Sequence, residues 1–279
     1  MNKELRVACV TMNSQENKER NIEQAEYYIE MAAKNDAQWV VLPELFSYIG
    51  PYENLAKNAE PADGPLNRKL SQLAQKYKMT IFAAVPELPE DQDLISTKGY
   101  KKVYNSLFVF NPRGTLTTSY RKVHLFNLQY GEHVFSEGDG FLSGNKLVTF
   151  NHEGWRIACA ICYDLRFSEF FVSLYKERPF DILLLPSAFT EATGKAHWEL
   201  LLRARSVEYQ CYTLAANQTG IHYENKVSFG HSMIIDPWGD VIGKTGSECG
   251  LAIATLSPER IRKIRERIPI LANRRNDIY

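Results

Sequence analysis

A thiol, a carboxylate and an ammonium group stand at three distant points of this 279-residue chain. Cys162 closes the apolar run RIACAIC and is followed at once by Tyr-Asp-Leu-Arg. Glu44 follows VVLP, and Lys122 lies within SYRKVHLF. A cysteine near a base and a cation is the material of nucleophilic catalysis: the base takes the thiol proton, and the cation steadies charge developing on an attacked carbonyl. Each residue also has a plain structural explanation. Cys162 could be a small core hydrophobe, Glu44 a surface acid capping a turn, and Lys122 a charge protecting an edge strand. Against this, a carboxylate ending a strand buried on both faces is costly unless paired or used. Burial would also raise its pKa toward neutrality, which suits a general base.

The elements that must carry these groups alternate. LRVACVTM (5–12) has the pattern of a strand, and Ile22, Ala25, Ile29 and Ala32 recur at helical spacing. QWVVLPELF (38–46) is a second strand, and 65–78 a helix with Pro65 in its first turn. Strands follow at 80–85, 104–110 and 115–123, the last two joined by the turn NPRG. The last of these would put Tyr120, Lys122 and His124 on one face, with His124 as a structural hydrogen-bonder. The second half offers strands at 156–162, 181–186, 211–217, 231–236 and 251–256, with helices near 168–177, 197–209 and 257–267. The two halves echo each other: VVLPELF and LLLPSAF both end in Pro-x-x-Phe after strand, helix and strand. Two such half-repeats predict a pseudo-symmetric sandwich of two sheets with helices outside. At matching offsets stand Glu44 and Ser187.

Bulk composition narrows the function. Lys and Arg total 33, as do Asp and Glu, so no polybasic surface argues for nucleic acid or anionic lipid. No apolar run approaches the roughly 20 residues needed to span a bilayer, and MNKELRVACV has no secretory pattern; a cytoplasmic protein is expected. Five cysteines at irregular spacing do not suggest a disulfide framework. Cys159 and Cys162 spell C-x-x-C, but on a strand they would face opposite ways, and no second pair completes a zinc site.

VLPELF, YRKVHLF and CYDLRF, in that order, resemble the nitrilase (carbon–nitrogen hydrolase) superfamily over essentially the whole chain. The resemblance implies an α/β fold, a four-layer α-β-β-α sandwich, with residues 1–279 as a single domain. It implies Glu44 as general base, Lys122 as stabiliser of the anionic intermediate and Cys162 as nucleophile, with the Tyr163 N–H sharing the oxyanion; no metal or organic cofactor is implied. A second glutamate that positions substrate would be Glu132 in GEHVFSEGD, with Glu137 as the alternative. The stretches PSAFTEATGKAHWELLLRARSVEYQCY and FGHSMIIDPWGDV are similar to the branch of deaminated glutathione amidases, with omega-amidases nearby. Both act on acyl groups related to 2-oxoglutarate and differ in the leaving amine. A substrate carboxylate needs a cation, and Arg166 is the candidate; a structural ion pair with Asp164 or Glu169 is its rival role. Phe189 and Thr193 line the same pocket by resemblance, His197 and Trp198 support it, and Trp238 is a turn and packing residue. The implied partner is a small-molecule amide. A homodimer is also implied, with the tail at about 268–279 packing on the partner subunit. A carbamoyl amidase, a nitrilase or a non-catalytic binding protein on the same fold are the competing functions; the last predicts a damaged Glu–Lys–Cys set, and all three residues are present.

Overall fold

Both faces of the apolar strands have to be covered, and this sets the architecture. In the first half, Val7, Cys9, Trp39, Val41, Phe82 and Leu107 belong to one buried cluster, while Ala8, Val10, Val40, Leu42, Ile81 and Phe108 belong to another. Neighbouring strand residues point to opposite faces, so each strand needs burial twice. The computed structural model, which describes residues 3–90, 94–130, 133–176, 178–275 and 277–278, meets that need with two sheets packed between outer helices.

The first sheet has seven strands. Its path runs Gly250–Leu256, Leu5–Thr11, Trp39–Val41, Thr80–Glu87, Val103–Phe110, Leu116–Arg121, and Phe141–Leu142 pairs with Val103–Phe110. The second has six, in the order Val241–Lys244, Met233–Ile235, Tyr212–Ala215, Ile182–Leu184, Trp155–Cys159, Thr149–His152. At the centre of each sheet three strands run parallel. Cys9 pairs with Val41 and Val41 with Phe82; Cys159 pairs with Leu184 and Leu184 with Leu214. The half-repeat in the sequence thus has its counterpart in the two sheets.

The outer helices follow from periodicity and capping. Lys18–Lys34 starts where the Asn17 side chain accepts from the Arg20 N–H, and turns Asn21, Ala25, Ile29 and Ala32 inward. Pro65–Tyr77 begins on Pro65 and buries Leu66, Leu70 and Leu73 against the outer face of the first sheet. Ser168–Lys176 and Glu199–Tyr209 pack on the second.

Three expectations need correction. The strand leading to Cys162 ends at Cys159, and the cysteine opens a short 3₁₀ turn, Cys162–Arg166. Backbone bonds still tie the chain to its neighbour, from Ala160 N to Leu184 O (3.0 Å) and from Cys162 N to Pro186 O (3.0 Å), but Cys162 itself adopts φ +47°. Face alternation on a strand therefore does not apply to the Cys159–Cys162 pair, and both are free thiols. Likewise Leu116–Arg121 stops one residue before Lys122, so Lys122 and His124 do not share a strand face with Tyr120. Two small hairpins, Asn127–Tyr130 with His133–Ser136 and Thr219–Ile221 with Val227–Phe229, join elements that sequence patterning leaves as loops. Past the last helix, Pro258–Arg267, the tail leaves Ile268, Leu271 and Ile278 exposed. Among the described residues no helix is long and apolar enough to cross a membrane.

Candidate active site

Parallel strands place whatever follows them at one edge of a sheet, where ligands commonly bind. Glu44 comes three residues after Trp39–Val41, Cys162 three after Trp155–Cys159, and Ala188 four after Ile182–Leu184. All three line one cavity of about 500 Å³, together with Lys122, Glu137, Tyr163, Arg166, Phe189 and Thr193.

At its floor the charged groups are buried and paired. Glu44 is 2% exposed and Lys122 1%, which removes the surface-acid and edge-protection explanations. The Lys122 ammonium donates to Glu44 Oε1 (2.8 Å) and to both Glu137 oxygens (2.9 Å each). Glu44 Oε1 also accepts from Asn105 Nδ2 (2.7 Å), and its Oε2 accepts from the Ala188 N–H (2.7 Å). The loop beneath is pinned by Gln218, whose Nε2 donates to the Glu44 carbonyl (2.9 Å) and to Ser14 Oγ (2.8 Å). Glu137 completes its shell with the Phe126 N–H (2.6 Å).

Electrostatics follow from this burial. Desolvation alone would lower the Lys122 pKa, but the charges of Glu137 and Glu44 outweigh it and hold the ammonium above its usual range. Desolvation raises the Glu137 carboxyl, against the pull of Lys122. Desolvation, with the Glu44 charge added, pushes the Cys162 thiol well above its ordinary value; Lys122 and the Ala188 N–H, which also reaches the sulfur, act in the opposite sense. The sulfur thus holds its proton more tightly than a free thiol does, and any attack by it on a carbonyl would need a base acting at the moment of reaction.

The carbon-nitrogen hydrolase family pattern matches residues 6–266. This chain is a carbon–nitrogen hydrolase. As such it is a hydrolase acting on carbon–nitrogen bonds other than peptide bonds. A deaminated glutathione amidase of Synechocystis sp. is 35% identical over 270 residues, 96% of this chain and 97% of that protein. The omega-amidase NIT2 of Homo sapiens is 34% identical over 278 residues, 98% of this chain and 96% of that one. Among solved structures, Saccharomyces cerevisiae Nit3, a member of branch 10 of the nitrilase superfamily, superimposes with a TM-score of 0.84 at 31% identity, over 98% of this chain and 97% of that one. The C. elegans NitFhit protein gives 0.88 at 31% identity over all of this chain, which spans only 66% of that one.

The other residues expected at the site of this carbon–nitrogen hydrolase fall as follows. Arg166 lines the cavity and makes neither of the ion pairs considered for it: its Nη1 donates to His197 Nδ1 (3.3 Å), and its guanidinium lies over the Phe189 ring (5.1 Å). Thr193 shares a hydroxyl contact with Thr190 (2.8 Å). Trp198 is fully buried, packs on Phe189 and donates to the His231 carbonyl (2.8 Å). Trp238 sits in a turn held by Asp236 and lies under Arg267 (5.2 Å). Glu132 lies outside the described residues, and the carboxylate that meets Lys122 from this segment is Glu137. Sequence patterning does not single out Asn105 or Gln218. A polar Asn105 inside the apolar run YNSLFVF was the available signal, since such a group is buried only when bonded.

Asp164, two residues past the cysteine, holds the turn in its left-handed conformation. It is fully buried and accepts from the Ile161 N–H (2.9 Å), Tyr120 Oη (2.6 Å), the His124 N–H (2.9 Å) and His124 Nδ1 (2.7 Å). It thereby ties the Cys162 turn to the segment just past Lys122. Asp164→Asn would aim an amide N–H₂ at two of these donors, and should cost about 2–4 kcal/mol of stability with a loss of activity. An unchanged urea midpoint would contradict this assignment.

Proposed function

We propose that this carbon–nitrogen hydrolase is a cysteine-dependent amidase that cleaves small 2-oxo acid amides through a thioester. Deaminated glutathione is the proposed substrate, yielding 2-oxoglutarate and cysteinylglycine. The observation that carries the reading is the convergence of Cys162, Glu44 and Lys122 on one cavity floor, with Arg166 free to meet a carboxylate on its wall. The names of the relatives supply the choice of acyl group.

The chemistry runs in two halves. Glu44 takes the thiol proton as the sulfur bonds to the amide carbon, and the carbonyl π pair moves onto oxygen. Lys122 and the Tyr163 N–H hold that oxyanion, each such donor being worth roughly 10²–10³-fold in rate. The oxyanion collapses, the C–N bond breaks, and the proton held by Glu44 goes to the departing amine. A water then gives a proton to Glu44 and adds to the thioester carbon. The C–S bond breaks, and Glu44 returns the proton to sulfur. Glu137 keeps Lys122 charged and in place throughout. Arg166 pairs with the 2-oxo acid carboxylate, for which its planar fork is suited, while Phe189 and Thr193 shape the acyl pocket.

A second reading, an omega-amidase acting on 2-oxoglutaramate, keeps the acyl group and changes the amine to ammonia; the 34% identity to NIT2 favours it. Incubation with each amide and measurement of 2-oxoglutarate should give release from deaminated glutathione with the higher kcat/KM. Release only from 2-oxoglutaramate would select the second reading. Release from neither by folded protein would leave a carbamoyl amidase or a nitrilase.

A further inference from the structure

Besides Lys122 and Arg166, the cavity carries a third cation, which the mechanism above does not use. Lys226 lines it along with His222, Tyr223, Val227 and Ser228, all from the hairpin Thr219–Ile221/Val227–Phe229 and its turn. That hairpin is built stiffly. Glu224 and Asn225 both take left-handed backbone (φ +52° and +57°); asparagine does so readily in a tight turn, while at Glu224 the conformation has to be held by its surroundings. His222 is buried and bridges the Ser14 carbonyl (2.7 Å) and Ser228 Oγ (2.9 Å). Its backbone N–H donates to the Lys226 carbonyl (2.7 Å). The lysine is thus presented from a fixed frame.

Its ammonium is turned onto aromatic surface. It donates to Tyr223 Oη (2.5 Å) and lies over the rings of Tyr223 (3.9 Å) and Phe135 (5.4 Å). From Phe135 a run of rings crosses the cavity wall: Phe135 to Phe126 (5.9 Å), Phe126 to Tyr163 (5.0 Å), and the Arg166 guanidinium over Tyr163 (6.0 Å). Two cations therefore stand at the two ends of an apolar wall that passes the nucleophile's neighbour, Tyr163. Lys226 is contacted by Glu224 (3.2 Å), but that carboxylate is 70% exposed and the lysine 41%, a pairing of little energy that a ligand can displace. Glu191, also at the cavity, is engaged by Lys195 (2.9 Å).

We propose that Lys226 recognises a second carboxylate, on the leaving-amine side of the substrate, and so selects amides of carboxylate-ended amines over simple amides. The proposal rests on the cysteine-amidase reading of the same cavity. It assigns the two ends: Arg166 takes the carboxylate of the acyl part, and Lys226 the terminal carboxylate of the departing dipeptide. A charge at each end, with the scissile amide between, sets the register of the substrate over Cys162. An amide of ammonia has nothing to offer Lys226.

The test compares deaminated glutathione with the same molecule carrying a terminal carboxamide. Wild-type protein should prefer the free acid by roughly 10–100-fold in kcat/KM, the scale of one charge-assisted contact. Lys226→Met should erase that preference, chiefly through KM, and leave the carboxamide unchanged; Lys226→Arg should retain it. Equal losses on both substrates, or a preference that survives Lys226→Met, would overturn the proposal. Calorimetric binding of the two ligands to Cys162→Ala protein, with and without Lys226→Met, separates this from the amidase reading. A carboxylate-dependent affinity that needs Lys226, in wild-type protein that releases no 2-oxoglutarate, would support the subsite and reject the chemistry. No binding of either ligand would reject the subsite.

Discussion

Cys162→Ala protein is expected to fold and to hydrolyse amides at least about 10⁵-fold more slowly than wild type, as when the nucleophile of a covalent mechanism is removed. On the proposed mechanism the sulfur is the atom on which the other groups act. The charges of Glu44, Lys122 and Glu137 all fall on it, and the Ala188 N–H reaches it. An alanine methyl can neither give up a proton nor form the thioester. Stability should change little: the substitution removes one small buried atom, and alanine at φ +47° inherits the same backbone strain. Cys159 is the internal control, because it is fully buried in its strand and has no place at the cavity; Cys159→Ala should keep its activity. Initial rates on deaminated glutathione, with thermal unfolding of each variant, decide the matter. Activity above roughly 1% of wild type in the Cys162 variant would remove the sulfur from the mechanism.

Lys122→Met should damage both stability and rate. Its ammonium is the sole cation bonded between Glu44 and Glu137 among the described residues. Taking it away leaves two buried carboxyl groups facing each other, and breaking a buried pair in this way costs about 3–5 kcal/mol. Loss of an oxyanion donor should separately lower kcat by roughly 10²–10³-fold. The pH dependence has a definite sign. Without the cation, burial and mutual repulsion raise a carboxyl pKa in the folded state above the unfolded value of about 4.3, so the folded variant holds an extra proton. Its stability is then greatest below that value and falls as pH rises through the raised folded pKa. Urea titrations of variant and wild type between acid and neutral pH measure this. A variant as stable as wild type, with no added pH dependence, would mean that the charges at the cavity floor are not coupled as their distances imply.

The sequence carried the architecture because the pattern of burial is written in it twice. VVLPELF and LLLPSAF announce two equivalent strand ends, and the two parallel strand trios are built from those segments. Glu44 and Cys162 are visible because each ends an apolar run; Lys122, in SYRKVHLF, stands out only through the resemblance of the three motifs together. Strand ends were less legible. The run RIACAIC stays apolar to its last residue, yet the chain leaves the strand at Cys159, since a left-handed Cys162 is held by Asp164 and by the carbonyl of Pro186, just past Ile182–Leu184. Nothing local to 156–162 encodes those partners. The same limit applies to the second glutamate. Glu132 and Glu137 share one short segment, and Glu137 is marked by the Lys122 ammonium, which reaches it from just past the end of Leu116–Arg121. Lys226 is harder still, because its meaning comes from a ring of Phe135, far away in the chain.

The burial that pushes the Cys162 thiol above its ordinary pKa has, on the proposed mechanism, a chemical consequence beyond turnover. Peroxides and soft electrophiles react with thiolate far faster than with thiol. On the proposed mechanism, a sulfur whose proton is held more tightly by burial and by a neighbouring carboxylate, and is taken by Glu44 only as a carbonyl arrives, would be shielded from oxidative inactivation between turnovers. The carboxylate proposed as base would then also disfavour sulfenic acid chemistry at the same sulfur.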